Sequence, residues 1–384
     1  MFDFTPGVRA GWTTILTADH AAAYAIGLAE EAASRGAFGV GGFLLDRTGR
    51  VIAEAVNAVA RKGHVVDPTA HVERQLIDWC CEAGHRGLAA STSELTIVSS
   101  IDPCPMCTGA ILRFGMNVIA VAEDKLSGVH HAGKPHRLPH ELWDAAAEHM
   151  ALFGVRGMRQ STRTEIATFA SEISPDLLHR AEQVFVASVE PVNRLIADID
   201  CDSNCRHVQI TDSVRAAVCK ASEALGLATI HGSIGLNVHE QGSRAEITNL
   251  LAGDGSVIVD EFGNLIAAAD GESVRAARTS VLDLVRAYPL IRNIARNKSG
   301  IELPHQRYCS IVKQSAHSEP AKALLEFGAL GSFLAARRKT NMLPAIGYLN
   351  GSSLVEAKQF AASLPPLYTS IIGIDVGVIP APVS

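Results

Sequence analysis

The chain has 384 residues, 47% of them hydrophobic and 19% charged, with a net charge of −6, which is enough for two domains or one large one with a sizeable core. No apolar run reaches the roughly eighteen residues a membrane-spanning helix needs, and eight cysteines are too sparse for a disulfide framework. Residues 1–190 carry all the excess acid, 22 Asp and Glu against 16 Lys and Arg, which argues against a strong phosphate-tracking surface without excluding a local basic groove.

The opening MFDFTPGVRAGW lacks the basic start and apolar core of a signal peptide, so a cytoplasmic location is expected. Thr17 to Arg35 has Ala, Leu and Ile at helical spacing after a Thr-x-Asp start, and Gly36 closes it. Gly39–Leu45 and Val51–Val56 read as two strands joined by a hairpin at Asp46-Arg47-Thr48-Gly49-Arg50. Asp67-Pro68-Thr69 places His71 near the start of a helix running to about Ala83. Glu94–Ser99 is a third strand. Pro103 then opens a helix to about Phe114, a favoured place for proline. Cys104 and Cys107 are three residues apart and share one side of that helix, whose N-terminus favours thiolate over thiol. Val118–Ala122 is a fourth strand. Alternation of this kind implies a mixed sheet with helices packed on it. Residues 139–150 read as helical, and 151–207 as a structured connector with helical stretches such as Asp176–Val184.

His71, Cys104 and Cys107 supply one imidazole and two thiolates, a set suited to a tetrahedral zinc ion. Three ligands leave the fourth position to water, which marks a catalytic site rather than a structural one. Glu73, two residues past the histidine, is not a ligand and is placed to move that water's protons. His-x-Glu followed by Pro-Cys-x-x-Cys is the pattern of the zinc-dependent deaminases.

The flanks FGVGGFLLDRTGRVIAEAVNAVARKGHVVDPTAHVE (38–73) and LTIVSSIDPCPMCTGAILRFG (95–115) resemble the cytidine deaminase superfamily. The likeness is to the branch holding guanine, fungal-type cytosine and tRNA adenosine deaminases, and it covers about residues 15 to 140. It implies one Zn2+ per chain with a bound water or hydroxide, and hydrolytic loss of ammonia from a nucleobase-like ring. Two positions depart from the family's pattern. Val72 stands where the family usually has Ala, adding bulk near the metal, and Asp102 stands where it often has Glu. In this branch the Asn equivalent to Asn57 hydrogen-bonds the base, against the bland reading of a loop Asn satisfying backbone groups. Phe38 is a candidate to stack on or border the base, or a core aromatic. Asp102 is a candidate substrate contact or an N-cap of the Cys helix. Asp124 is a candidate for a base amine or ring N–H, against a solvated surface acid.

Other features carry weaker signals. Cys201, Cys205 and His207 are loosely spaced for a second metal site. Cys80 and Cys81 read as core, and His130, His131, His136 and His140 as a modest cluster. Arg337-Arg338-Lys339 reads as a solvated face.

The second half echoes the first. VIVDEFGNLIAAA (257–269) parallels FLLDRTGRVIAEA (43–55), matching Asp260 with Asp46 and Gly263 with Gly49. SIVKQSAHSEPAKALLEFG (310–328) parallels residues 96–115, with Ser318 and Ala321 at the cysteine positions. Ala276 and Arg278 fall where His71 and Glu73 stand. The bland alternative is an unrelated α/β domain sharing a common hairpin pattern.

The expected fold is α/β: a cytidine-deaminase-like three-layer α/β/α sandwich with a mixed sheet at 1–150, a helical connector at 151–207, and a second α/β domain at 208–384. That second domain is either a degenerate, metal-free copy or unrelated, and serves for packing or as a lid. The expected substrate is a small heterocycle, with guanine favoured over cytosine. The DPTAH lead-in and Pro105-Met106 look like guanine deaminase, and Met106–Ile111 also looks like fungal-type cytosine deaminase. A nucleoside deaminase, a tRNA adenosine deaminase, a biosynthetic deaminase of an unusual heterocycle and a zinc-binding scaffold are the rivals. Nucleic acid is a disfavoured partner, no membrane is expected, and either a homodimer or an internal pseudo-dimer fits the tandem pattern.

Overall fold

A computed structural model describes residues 7–85, 92–129, 150–152, 173–197, 212–224, 249–270, 278–315, 319–334, 343–351, 353–365, 367–368 and 376–379. The expected features at Cys201, Cys205 and His207, at the histidines from His130 to His140, and at Arg337–Lys339 lie outside those residues, as does nearly all of 139–150.

The first half begins with a short strand, β1 (Val8–Ala10), and a helix, α1 (Ala18–Ser34). The Thr17 hydroxyl caps α1 by accepting from His20 N at 3.1 Å. Strands β2 (Gly41–Leu45) and β3 (Val51–Val56) form the expected hairpin. Its turn is closed by Asp46 Oδ1, which accepts from the backbone of Thr48 and Arg50, and by Gly49 at φ 78°. A two-stranded ribbon, β4 (Ala60–Arg61) and β5 (His64–Val65), leads to α2 (Val72–His85). Then come β6 (Thr96–Ile101), α3 (Pro105–Phe114), β7 (Asn117–Ala122) and β8 (Met150–Leu152).

The sheet order is β1-β3-β2-β6-β7-β8. β6, β7 and β8 run parallel and the other neighbours are antiparallel. Adjacent residues of a strand point to opposite faces, and β2 shows what covers each face. A Cβ on Gly41 would strike Leu28 and Ala29 of α1, whereas a Cβ on Gly42 would strike Val72 of α2. The two helices therefore cover opposite faces, as an α/β/α sandwich requires.

Helix α4 (Pro175–Ala197) is longer than the stretch expected from sequence, and Pro191 lies within it. Its buried face of Ala181, Phe185, Val192 and Ile196 outweighs the proline's helix-breaking tendency. Ser188 Oγ accepts from Gly39 N at 2.7 Å, tying α4 to the loop before β2.

The second half contains α5 (Asp212–Ala224), β9 (Ser256–Val259), β10 (Leu265–Ala269), α6 (Ser280–Ser299), β11 (Ser310–Lys313), α7 (Pro320–Phe333), β12 (Ile346–Tyr348), α8 (Leu354–Ser363) and β13 (Val376–Val378). Its sheet order is β10-β9-β11-β12-β13. β9 is antiparallel to β10 and β11, while β11, β12 and β13 are parallel. Strand order and directions thus repeat those of β3-β2-β6-β7-β8, and α6 and α7 fall where α2 and α3 do. The hairpin turn repeats too: Asp260 Oδ1 accepts from Phe262 and Asn264 backbone N–H groups, and Gly263 has φ 81°.

The halves share one hydrophobic core. Its centre is the packing of α3 on α7, which approach closely because each offers a glycine. A Cβ on Gly109 would lie 2.4 Å from Leu325 N, and one on Gly328 would lie 2.1 Å from Met106 N.

The helix starts correct the register of the internal echo. His71 immediately precedes α2, and the residue preceding α6 is Thr279, not Ala276. Glu73 is the second residue of α2, and the second residue of α6 is Val281, not Arg278. Cys104 is the N-cap of α3 and Cys107 its third residue. The same places on α7 are Glu319 and Lys322, not Ser318 and Ala321. Lys322 pairs with Asp254, and buried Lys313 lies 3.1 Å from Asp254 and 3.3 Å from Glu326. Ammonium groups and their counter-ions stand in the second half where the first has its donor cluster.

Candidate active site

The donor cluster sits where two helices begin. Asp67 Oδ1 accepts from the backbone N–H and the hydroxyl of Thr69, both at 2.8 Å, and fixes the turn before His71. Gln75 Nε2 donates to the carbonyls of Ala70 and Val56, clamping that turn to the end of β3. Cys104 lies at the start of α3, with Cys107 one turn on. His71, Cys104 and Cys107 place their donor atoms within 4.8 Å of one another. His71 Nδ1 is 3.5 Å from Cys104 Sγ, matching the ~3.5 Å N···S edge of a tetrahedron with Zn–N near 2.0 Å and Zn–S near 2.3 Å.

Buried charge suits the same ion. Burial pushes the Cys104 thiol up, but the hydrogen bond from Cys107 and the charge of His71 prevail and hold it well below the usual thiol range. Glu73 is buried, and its Oε1 accepts from Ser99 Oγ at 2.8 Å. Burial, reinforced by the negative charge of Cys104, raises its pKa above the ordinary carboxylate value. The donor set fits one Zn2+, with Glu73 beside it rather than among the ligands.

His71, Glu73 and Cys104 line a cavity with about 810 Å³ of empty space, part of it open to solvent. Phe38, Asn57, Asp102 and Asp124 line the same cavity. Phe38 sets its ring edge-on to His71, with centroids 6.2 Å apart. Asn57 directly follows β3, and its Oδ1 accepts from Val59 N at 3.1 Å, so its Nδ2 donor is the group it can offer a ligand. Asp102 is buried but does not cap the Cys helix, because the N-cap is Cys104. Asp124 is not a solvated surface acid. It is 2% exposed, and its carboxylate closes a turn by accepting from the backbone of Leu126 and Ser127 and from the Ser127 hydroxyl. Val72 does not crowd the metal wall. It is absent from the cavity lining and packs towards Gly42, whose missing side chain makes the room. Cys80 is buried, and burial raises its thiol pKa, in keeping with a core role.

The rest of the cavity was not foreseen. Phe185, Val189, Asn193 and Ile196 of α4 line it, joined from the second half by Gly331, Ser332, Leu367 and Tyr368. The Tyr368 hydroxyl is within hydrogen-bonding reach of Cys104 and Ser332. No motif announces these residues. The one available signal was the amphipathic pattern of α4, whose apolar positions are compatible with a cavity wall as well as with a core.

Residues 17–123 match the family described as the cytidine and deoxycytidylate deaminase zinc-binding region. This part of the chain belongs to the cytidine deaminase superfamily. The guanine deaminase of Bacillus subtilis (strain 168) is 36% identical to this chain over 87 residues, which is 23% of it. The match spans 52% of that relative, so the chain covers about half the length of the curated protein it resembles. Among solved structures, a guanine deaminase from Nitrosomonas europaea is similar at 13% identity and a TM-score of 0.30, covering 47% of this chain and 90% of that one. A structure from studies of A-to-I editing by tRNA:A34 deaminases is similar at 25% identity and a TM-score of 0.24, covering 29% and 75%. Among the described residues, no helix is long and apolar enough to cross a membrane.

Proposed function

We propose that the chain is a zinc-dependent aminohydrolase that deaminates a free nucleobase or related small heterocycle, with guanine the first candidate. The observation that carries this reading is the division of roles at the site: three donor atoms within 4.8 Å of one another, and beside them a buried carboxyl that Ser99 fixes. A scaffold zinc site has no use for that carboxyl. A zinc ion held by His71, Cys104 and Cys107 supplies a Lewis acid that acidifies water at the remaining position.

The chain's own residues account for the remaining chemistry. Glu73, fixed at Oε1 by Ser99, uses Oε2 to take the proton of the attacking water. It passes that proton to the ring nitrogen, then takes the remaining hydroxyl proton of the tetrahedral adduct and gives it to the departing amine as the carbonyl forms. Water adds at the carbon bearing the amine, the carbon–nitrogen bond breaks, and ammonia leaves. Asn57 holds the ring by its Nδ2 donor, and Phe38 borders it. Residues 208–384 act as a degenerate, metal-free copy that adds Ser332, Leu367 and Tyr368 to the cavity lining. A cavity lined from both halves of the chain favours a small ring over a base held in a polynucleotide, and the guanine deaminase relative motivates guanine first.

The test is ammonia release from a panel of purines, pyrimidines, their nucleosides and pterins, run alongside a tRNA substrate. Turnover of a free base, with guanine ahead of cytosine, is the expected result. Inosine formation in tRNA with no turnover of any small molecule would overturn the reading. Asn57→Asp sharpens the test. It keeps the acceptor for Val59 N–H but replaces the Nδ2 donor. Losing a donor to a buried ligand group costs ~1–3 kcal/mol, so kcat/KM is expected to fall roughly 10- to 100-fold at unchanged zinc content and Tm. Unchanged kcat/KM would remove Asn57 from the substrate contacts.

A further inference from the structure

Arg286 of α6 is buried in the interface between the halves, where it joins the second half to the loop that presents His71. Its Nη1 lies 2.9 Å from Asp78 Oδ2 on α2, and its Nε lies 3.4 Å from Asp67 Oδ2. Asp78 Oδ1 in turn accepts from Arg74 Nη2 at 3.0 Å. Arg74, Asp78 and Arg286 are each at most 3% exposed, and Asp67 is 7% exposed. Asp78 and Arg286 are each the seventh residue of their helices, α2 and α6, so the repeat places opposite charges at matching positions across the interface. The other oxygen of Asp67 fixes Thr69, two residues before His71. The path from the second half to the metal ligand is therefore Arg286, Asp67, Thr69, His71, with every link an ion pair, a hydrogen bond or a short piece of chain.

We infer that Arg286 is a positioning residue for the zinc site, and that the metal-free half retains the metal by holding Asp67 and hence the His71 turn. This rests on the zinc reading above. An arginine suits the task because its rigid fork can engage two carboxylates at once, whereas a lysine offers one point of charge. Metal retention and docking of the halves are then linked, and each strengthens the other.

The test uses the full chain loaded with zinc and, separately, with Co2+. Arg286→Lys keeps the buried charge, and Asp67→Asn keeps an acceptor for Thr69 while removing the charge that faces Arg286. Each variant is expected to lose zinc to a competing chelator at least about tenfold faster than wild type, and to shift the Co2+ absorption spectrum. The double variant is expected to be no faster than the faster single one, because both break the same link. Wild-type release rates and spectra in both folded variants would overturn the inference, and so would accelerations that multiply in the double variant. If Arg286→Lys does not fold, Asp67→Asn decides alone, with an unchanged release rate counting against the inference. A wild-type chain that takes up neither metal would defeat the zinc reading itself. Uptake with no effect of these variants defeats only the role of Arg286.

Discussion

Replacing Glu73 by Gln lowers the rate of ammonia release by about 10²- to 10⁴-fold, the range expected for loss of a positioned general acid–base, while zinc stays near one per chain. Gln has the same shape and can still accept from Ser99 Oγ, so the wall beside the donor cluster is preserved. What disappears is a group that can take a proton from water and give it up again. His71, Cys104 and Cys107 are untouched, and their donor atoms remain close enough to share an ion. Steady-state ammonia assays paired with elemental analysis of the same preparations check both halves of this expectation. An active variant would show that another group moves the protons. An inactive variant without zinc would show that Glu73 holds the site together instead.

The second large effect is expected from a residue outside the matched family region. Gly328 lies on α7, where a Cβ would come within 2.1 Å of Met106 N and 2.6 Å of Met106 Cα. Those atoms are backbone, so they yield only if α3 moves, and α3 carries Cys107 and begins at Cys104. Gly328→Val is therefore expected to cost ~1–3 kcal/mol or more through overpacking, to lower Tm by several degrees, and to weaken zinc retention. Gly27→Ala is the control. A Cβ there meets nothing within 4 Å, and a helix-interior Gly→Ala change is neutral or stabilising. Thermal unfolding and chelator competition on both variants make the comparison. A Gly328→Val protein with wild-type Tm and zinc retention would show that the close packing of α3 on α7 does not support the site.

The donor cluster was legible in the sequence because its chemistry is local. His71 and Glu73 share one helix start, Cys104 and Cys107 another, and a proline marks the second. The hairpins were legible for the same reason, since Asp46 and Gly49, or Asp260 and Gly263, define a turn within five residues. Contacts distant along the chain were not legible. Arg286 meets Asp78 across a separation of 208 residues, and Tyr368 reaches Cys104 from the other half. No period or spacing encodes such a meeting. The internal echo was visible but out of register by three residues at α6 and by one at α7. An echo with few shared residues offers few anchors, and helix starts locate it better than residue identity. Asp124 was misread because an acid past a strand end looks solvated until the turn it closes is seen. Val72 was misread because its Cβ direction depends on which face of α2 meets β2.

The most direct test is elemental analysis of the purified full chain beside Cys104→Ser, with ammonia release measured on the same samples. One zinc per wild-type chain is expected, with metal and activity lost together in the variant. Ammonia release by a wild-type chain that carries no transition metal would contradict the account at its root.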